Sequence, residues 1–293
     1  MSEVFNKPRG PLSRALGFVR WFVGNVPHML RSDTPRFVWA PYLRTVVRRP
    51  RLERYADDKR RFQDTMRGAR VSHDWFSGNI PYWLAAFHRY GLFDRPVRAL
   101  EIGSWEGMSS RFILDSLPRA HLTCVDTWAG ADEHRGLPLR QVENNFDANL
   151  AMHEGHLTKV KSTSFEFFSA QALRAQFDLV YVDGSHYCDD VIVDAVKAFD
   201  QLKVGGILIF DDYLFRFYER PADNPAAAIN AFLRLKAGDY ELFMVYAQII
   251  LCKTADRRAV VEPTTTICDA PTNAPLTTQP RPSIPSVIEG RQA

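Results

Sequence analysis

The sequence predicts an α/β protein with a doubly wound, mostly parallel sheet, an antiparallel strand at one edge, a helical N-terminal extension and a disordered C-terminal tail. Three observations point there. Short apolar runs alternate with helix-spaced segments between residues 97 and 253, as expected when helices connect parallel strands. Two runs, Phe177–Val182 (apolar but for Asp178) and 206–210, stop at acidic residues, the pattern of central strands buried on both faces. No GxGxxG loop follows the first strand, which counts against a dinucleotide-binding dehydrogenase.

In chain order, Val97–Ile102 reads as the first strand and 106–117 as the helix after it. Residues 121–125 form the second strand, followed by a polar stretch, and 159–162 the third. A helix over 165–175 leads to the strand Phe177–Val182. Residues 189–202 have helical spacing (Val191, Ala195, Ala198, Phe199, Leu202) and stop before Gly205 and Gly206. The strand 206–210, the helix Pro225–Leu235 and the adjacent runs 240–246 and 248–252 complete the body, the last two as an antiparallel pair. In the extension, 12–23 and 55–66 look helical.

Composition bounds what the chain does. Of 293 residues, 46% are hydrophobic and 24% charged, ordinary globular values that exclude a fibrous or wholly disordered chain. No apolar run approaches the ~20 residues of a membrane span, because Arg20 interrupts 16–23; the expected location is cytoplasmic. Cys124, Cys188, Cys252 and Cys268 lack metal or disulfide spacing and read as free thiols. The net charge of +3 hides an asymmetry: residues 1–70 hold sixteen Lys and Arg against six Asp and Glu. Three parts follow: a basic helical extension (1–70), a mildly acidic body (71–253) and a Pro- and Thr-rich tail (254–293) too poor in apolar residues to offset its ordering entropy.

In doubly wound sheets, ligands bind at the carboxyl ends of the strands. After the first strand stands Glu101-Ile102-Gly103-Ser104-Trp105-Glu106-Gly107, whose glycines allow a sharp turn beneath a ligand. The helix start beyond them offers N–H groups to a carboxylate such as that of an amino acid. Asp126, ending the second strand before Thr127, is placed to accept both hydroxyls of a ribose; a turn cap is its alternative. The fourth strand ends Asp183-Gly184-Ser185-His186 and the fifth Asp211-Asp212-Tyr213. Three carboxylates at one sheet edge need a neutralising charge, whether a divalent cation, a cationic cofactor or an arginine. Oxygen ligands without thiols favour Mg²⁺ over zinc.

These motifs in this order resemble class I S-adenosylmethionine-dependent methyltransferases with a Rossmann-like sheet. The nearest resemblance is to a bacterial family of small-molecule or sugar O-methyltransferases in which Asn-x-Pro-x-Trp precedes the core, here Asn79-Ile80-Pro81-Tyr82-Trp83. The resemblance covers about residues 72–253. It implies that Gly103, Ser104 and Gly107 line the methionine part of S-adenosylmethionine, with Glu101 beneath the loop. Asp126 and Thr127 would hold the ribose, and Ser162 and Thr163 would contact the adenine. Trp128 would stack on the adenine edge or serve as a core aromatic. Asp183 would face the sulfonium.

A second resemblance, to cation-dependent O-methyltransferases, makes Asp183, Asp211 and Asp212 the expected metal ligands. His186 stands where catechol-type members carry a lysine base, and Ser185 replaces the second Asp of the sugar-modifying Asp-Gly-Asp run. His186 is accordingly either a general base or a surface histidine at a helix start.

The reading is methyl transfer to a hydroxyl of a small-molecule or sugar-like acceptor, with a divalent cation as an assisting element. Its alternatives are a cation-independent N- or O-methyltransferase and a non-catalytic module that binds the cofactor. The stripe Leu12, Ala15, Leu16, Val19, Phe22 and Val23, followed by Arg44, Arg48, Arg49, Arg51 and Arg54, suits a lid or dimer element, or a helix lying on an anionic membrane. No aromatic-interleaved basic motif points to nucleic acid. His73, Asp74, Trp75 and Trp83, just before the core, are placed to close over the substrate.

Overall fold

The computed structural model describes residues 11–131, 139–171 and 174–257. Seven strands form one sheet in the order β3-β2-β1-β4-β5-β7-β6. They are β1 (Val97–Ile102), β2 (Ala120–Asp126), β3 (Leu157–Lys161), β4 (Phe177–Val182), β5 (Leu202–Phe210), β6 (Tyr240–Val245) and β7 (Ile249–Lys253). The first five pair in parallel, with Glu101 opposite Tyr181 and Val182 opposite Phe210. β7 joins β5 antiparallel and carries β6 at the edge, as the sequence predicts.

Strand side chains alternate between two cores. Leu179 and Tyr181 of β4, with Ile207 and Ile209 of β5, enter one core. Val180, Val182, Leu208 and Phe210 enter the other. With period two and both faces covered, neighbouring positions on these strands are both apolar, which is why 179–182 and 206–210 read as continuous runs.

The helices of the extension are α1 (Pro11–Arg31), α2 (Arg36–Arg48) and α3 (Ala56–Thr65). Met29, Val38, Tyr42 and Val46 belong to one core, and Leu52, Tyr55, Phe62 and Met66 to the other. Asn230 donates to the Ser32 carbonyl (2.8 Å), and the Val245 N–H donates to Thr45 Oγ1 (3.0 Å). The charge step at residue 70 thus coincides with no break in packing, because the arginines lie outward and the apolar faces inward.

Several bounds differ from the sequence expectation. Helix α5 is Met108–Ser116, starting two residues late because Trp105 (φ +46°) and Gly107 (φ +82°) turn the chain first. Helix α7 is Ser164–Ala170, shorter than expected and started by a Thr163–Glu166 capping box. Helices α4 (Ile80–Arg89) and α6 (Val142–Leu150), like α2, went unassigned from sequence. In α4 the resemblance motif itself opens the helix, with Pro81 in the first turn where its missing N–H costs nothing. Helices α8 (Cys188–Gln201) and α9 (Pro225–Leu235) lie close to expectation.

Cys124, Cys188 and Cys252 are free thiols. Cys268 and the tail from residue 258 lie outside the described residues, as do the side chains of Leu12, Ala15, Leu16, Val19 and Phe22. Among the described residues, no helix is long and apolar enough to cross a membrane.

Candidate active site

A cavity of about 810 Å³ opens at the carboxyl ends of the parallel strands. Its wall includes Gly103, Ser104, Asp126, Thr127, Ser162, Thr163, Asp183, His186, Asp211 and Asp212, so ten of the sequence-predicted site residues converge on one space. The volume falls in the ~300–1,000 Å³ range of small-molecule sites.

The loop after β1 is held from below and from the side. Glu101 is wholly buried and accepts hydrogen bonds from the hydroxyls of Ser104 (2.9 Å), Ser109 (2.5 Å) and Ser110. Burial raises its pKa to about 6, against the opposing effect of the three serines. Glu101 therefore shapes the loop without reaching the cavity wall. At Gly103 (φ +82°) an added Cβ would stand 1.9 Å from the Asp183 carbonyl oxygen, so only glycine lets the loop pack on the end of β4.

Gly107 also has φ +82°, but an added Cβ there would meet Leu150 at 2.3 Å. Its lack of a side chain serves packing against α6, and it is not on the cavity wall, in contrast to the ligand-lining role expected of it.

Asp126 accepts the N–H groups of Ser104 (2.8 Å) and Trp105 (2.9 Å) on one oxygen and that of Trp128 (2.6 Å) on the other. It bridges the loops after β1 and β2 while facing the cavity. Trp128 itself departs from the adenine-stacking expectation. Only 4% exposed, it packs on Phe146, donates to the Trp105 carbonyl and takes Lys159 over its ring, which makes it a core aromatic.

On the other side, His186 Nε2 lies 2.7 Å from Asp212 Oδ2 and 3.9 Å from Asp183 Oδ1. One ligand atom from each of Asp183, His186 and Asp212 lies within 4.8 Å of the others. Burial raises the pKa of Asp183, the His186 contact opposing that shift and the Asp212 charge adding to it. The expected metal set of Asp183, Asp211 and Asp212 is different from this grouping. Asp211 turns inward, accepting from the Tyr181 hydroxyl and from Gln248 Nε2 (2.7 Å). Burial, then the charges of Asp183 and Asp212, push its pKa well above the ordinary carboxylate range.

Sequence reading missed Tyr181 and Glu106, which lie on this wall, and Gln248, which stands behind it. Tyr181 contacts both Asp183 (2.8 Å) and Asp211. Gln248, wholly buried, accepts from Trp83 Nε1 (2.7 Å) and the Tyr246 hydroxyl (2.6 Å) while donating to Asp211. Trp83 of the Asn-x-Pro-x-Trp segment therefore supports the acidic cluster from beneath and does not line the cavity. The one available signal was a glutamine within an apolar hairpin. Glu106, 3% exposed, takes the N–H and hydroxyl of Ser72 (2.6 and 2.8 Å) and Asn145 Nδ2 (2.8 Å). It thereby fastens the segment carrying His73 and Trp75 to the loop.

Residues 100–213 match the family described as Methyltransferase domain. The matched stretch runs from within β1 to the loop after β5 and takes in Gly103, Asp126, Asp183, His186, Asp211 and Asp212. A curated relative, the uncharacterized protein R132 of Acanthamoeba polyphaga mimivirus, is 26% identical over 117 residues, 39% of this chain and 50% of that protein. Among solved structures, the MycE methyltransferase of mycinamycin biosynthesis, in complex with Mg, S-adenosylhomocysteine and mycinamycin VI, is 18% identical with a TM-score of 0.46. The match covers 62% of this chain and 51% of that one. The O-methyltransferase TomG of Streptomyces achromogenes, in complex with S-adenosylmethionine, is 17% identical with a TM-score of 0.45, over 70% and 89%. The chain spans about half the length of the curated relative and of MycE.

Proposed function

We propose that the protein transfers the methyl group of S-adenosylmethionine to a hydroxyl of a small-molecule or sugar-like acceptor. The cofactor supplies an electrophilic methyl on a sulfonium. Gly103, Ser104, Asp126, Thr127, Ser162 and Thr163, on one part of the cavity wall, are the residues assigned to hold it, with Asp183 toward the sulfonium. The loop geometry supports this: Asp126 already binds two loop amides and so couples ribose recognition to loop shape.

The observation carrying the reaction type is the His186–Asp212 contact at 2.7 Å on the cavity wall. A hydroxyl is a weak nucleophile until its proton is removed, and an imidazole, whose unperturbed pKa is ~6.5, is the side chain suited to accept it near neutral pH. Asp212 orients the ring and stabilises the imidazolium that results, with Asp183 Oδ1 3.9 Å from the same nitrogen. Methyl transfer is an in-line displacement, so the walls must also fix the acceptor against the methyl.

The same groups support cation assistance as the alternative to His186 acting as base, because an imidazole that coordinates an ion has no free nitrogen to take the proton. Two carboxylates and one imidazole nitrogen within 4.8 Å fit a divalent ion, and Asp183, His186 and Asp212 would hold it in place of the set that included Asp211. Such an ion, Mg²⁺ being the first to test, would lower the pKa of a bound hydroxyl.

The test has two parts. Calorimetric titration with S-adenosylhomocysteine should show binding that Asp126→Ala weakens; absence of binding to folded protein overturns the assignment. Labelled methyl transfer to hydroxylated acceptors, with and without chelator, then separates cation-assisted from metal-free chemistry. For the extension, we keep the proposal of a peripheral membrane contact, supported by exposed Phe37, Leu43 and Val47 between Arg36, Arg44 and Arg48 on α2.

A further inference from the structure

The charge and aromaticity of the cavity wall bear on the acceptor. Six acidic side chains line it: Glu106, Asp126, Asp183, Asp190, Asp211 and Asp212. No Lys or Arg does so among the described residues, and His73 and His186 are the only lining groups able to become cationic. An anion entering this space would lose hydration and meet like charge, with no guanidinium or ammonium among the described lining residues to replace it.

Large rings stand exposed around the same cavity. Trp75 is 55% exposed, Phe165 66% and Phe217 50%, although rings of this size normally bury. They are not isolated. His73 stacks on Trp75 with centroids 5.0 Å apart and planes at 8°, and Trp75 lies 5.7 Å from Trp105 of the loop after β1. On the loop after β5, Phe215 stacks with Phe217 at 6.1 Å and lies 4.6 Å from the His186 ring. An aromatic stack thus adjoins the loop assigned to the cofactor, and another adjoins the assigned base. Such surfaces recognise a flat or apolar ring face and leave its hydroxyl edge for the polar floor.

We propose that the acceptor is a non-anionic, hydroxylated ring compound with an apolar face, and that carboxylated or phosphorylated counterparts are rejected at this site. This rests on the methyl-transfer reading and narrows its substrate class. The aromatic stacks hold the ring, and the acidic floor near His186 receives the hydroxyl. The acidic wall supplies selectivity by penalising the wrong ligand.

The test uses a matched pair of probes, para-nitrophenyl β-glucoside and para-nitrophenyl β-glucuronide, which differ in one hydroxymethyl against one carboxylate. Each is titrated by calorimetry into full-length protein saturated with S-adenosylhomocysteine. The glucoside should bind at least about tenfold more tightly, a difference of ~1.4 kcal/mol. Phe217→Ala should weaken glucoside binding severalfold without changing S-adenosylhomocysteine affinity. Asp190→Asn, which removes one lining charge, should narrow the preference over glucuronide. Equal affinity for the two probes, tighter glucuronide binding or no glucoside binding overturns the proposal. Failure of S-adenosylhomocysteine itself to bind overturns the methyltransferase assignment instead, so the two failures are distinguishable.

Discussion

His186 Nε2 sits 2.7 Å from Asp212 Oδ2, and Asp212 is held in the left-handed region at φ +55°. A residue other than glycine at such φ costs about 1–2 kcal/mol. The strain falls where strained backbone tends to collect, at a strand end facing a ligand cavity. It turns the Asp212 carboxylate toward His186 while Asp211 points inward to Gln248.

His186→Ala should lower kcat by about 10²–10⁴-fold, the range for loss of a general base. Affinity for S-adenosylhomocysteine should stay within a factor of two or so. Steady-state kinetics beside calorimetry measures both, and equal losses in the two would make His186 a structural residue. Asp212→Asn should give a smaller loss in kcat, since the ring remains but its imidazolium is less stabilised.

Glu101 makes stability depend on pH. Its folded pKa, about 6, lies above the ordinary carboxylate value, so the folded state binds the proton more tightly than the unfolded chain does. Its contribution is most favourable below the unfolded pKa and is lost as pH rises through about 6. The size is on the order of 2 kcal/mol. Glu101→Gln should flatten that part of the profile; chemical denaturation at pH values from ~4 to ~7 reads it. An unchanged slope would show that the carboxyl titrates normally.

Gly103→Ala should abolish cofactor binding and destabilise the fold by on the order of 3 kcal/mol, combining left-handed strain with overlap against the Asp183 carbonyl. The neighbouring backbone atom has no rotamer with which to yield. Thermal melts and S-adenosylhomocysteine titration check this; a variant with wild-type melting and binding would mean that the loop and β4 separate freely.

The exposed stripe of α2 gives a surface prediction. Full-length protein should co-sediment with vesicles containing anionic phosphatidylglycerol and not with phosphatidylcholine alone. Val47, 75% exposed, is the position to change: Val47→Glu should lower vesicle binding severalfold without moving the melting temperature. Binding that is insensitive to lipid charge, or absent, would remove the membrane reading.

The sequence by itself determined the sheet and the residues at its carboxyl edge. Strands buried on both faces are mostly apolar, so Phe177–Val182 announced itself despite Asp178, and the acidic residues that end such runs marked the ligand edge. Asp126, Asp183, His186 and Asp212 were therefore legible one strand at a time. Helices α2, α4 and α6 were not, because aromatic, β-branched or proline residues weaken the local helical signal in α2 and α4, and α6 lies in a polar stretch.

Tertiary structure alone decided what each side chain faces. Of two adjacent carboxylates, one turns to His186 and the other to Gln248, because φ at Asp212 is positive and a buried amide from β7's turn approaches Asp211. Gly107 meets Leu150 instead of a ligand, and Trp128 fills a core instead of stacking on a base. Spacing in sequence locates a residue at a strand end, but its orientation depends on partners tens of residues away, which only the folded chain brings near.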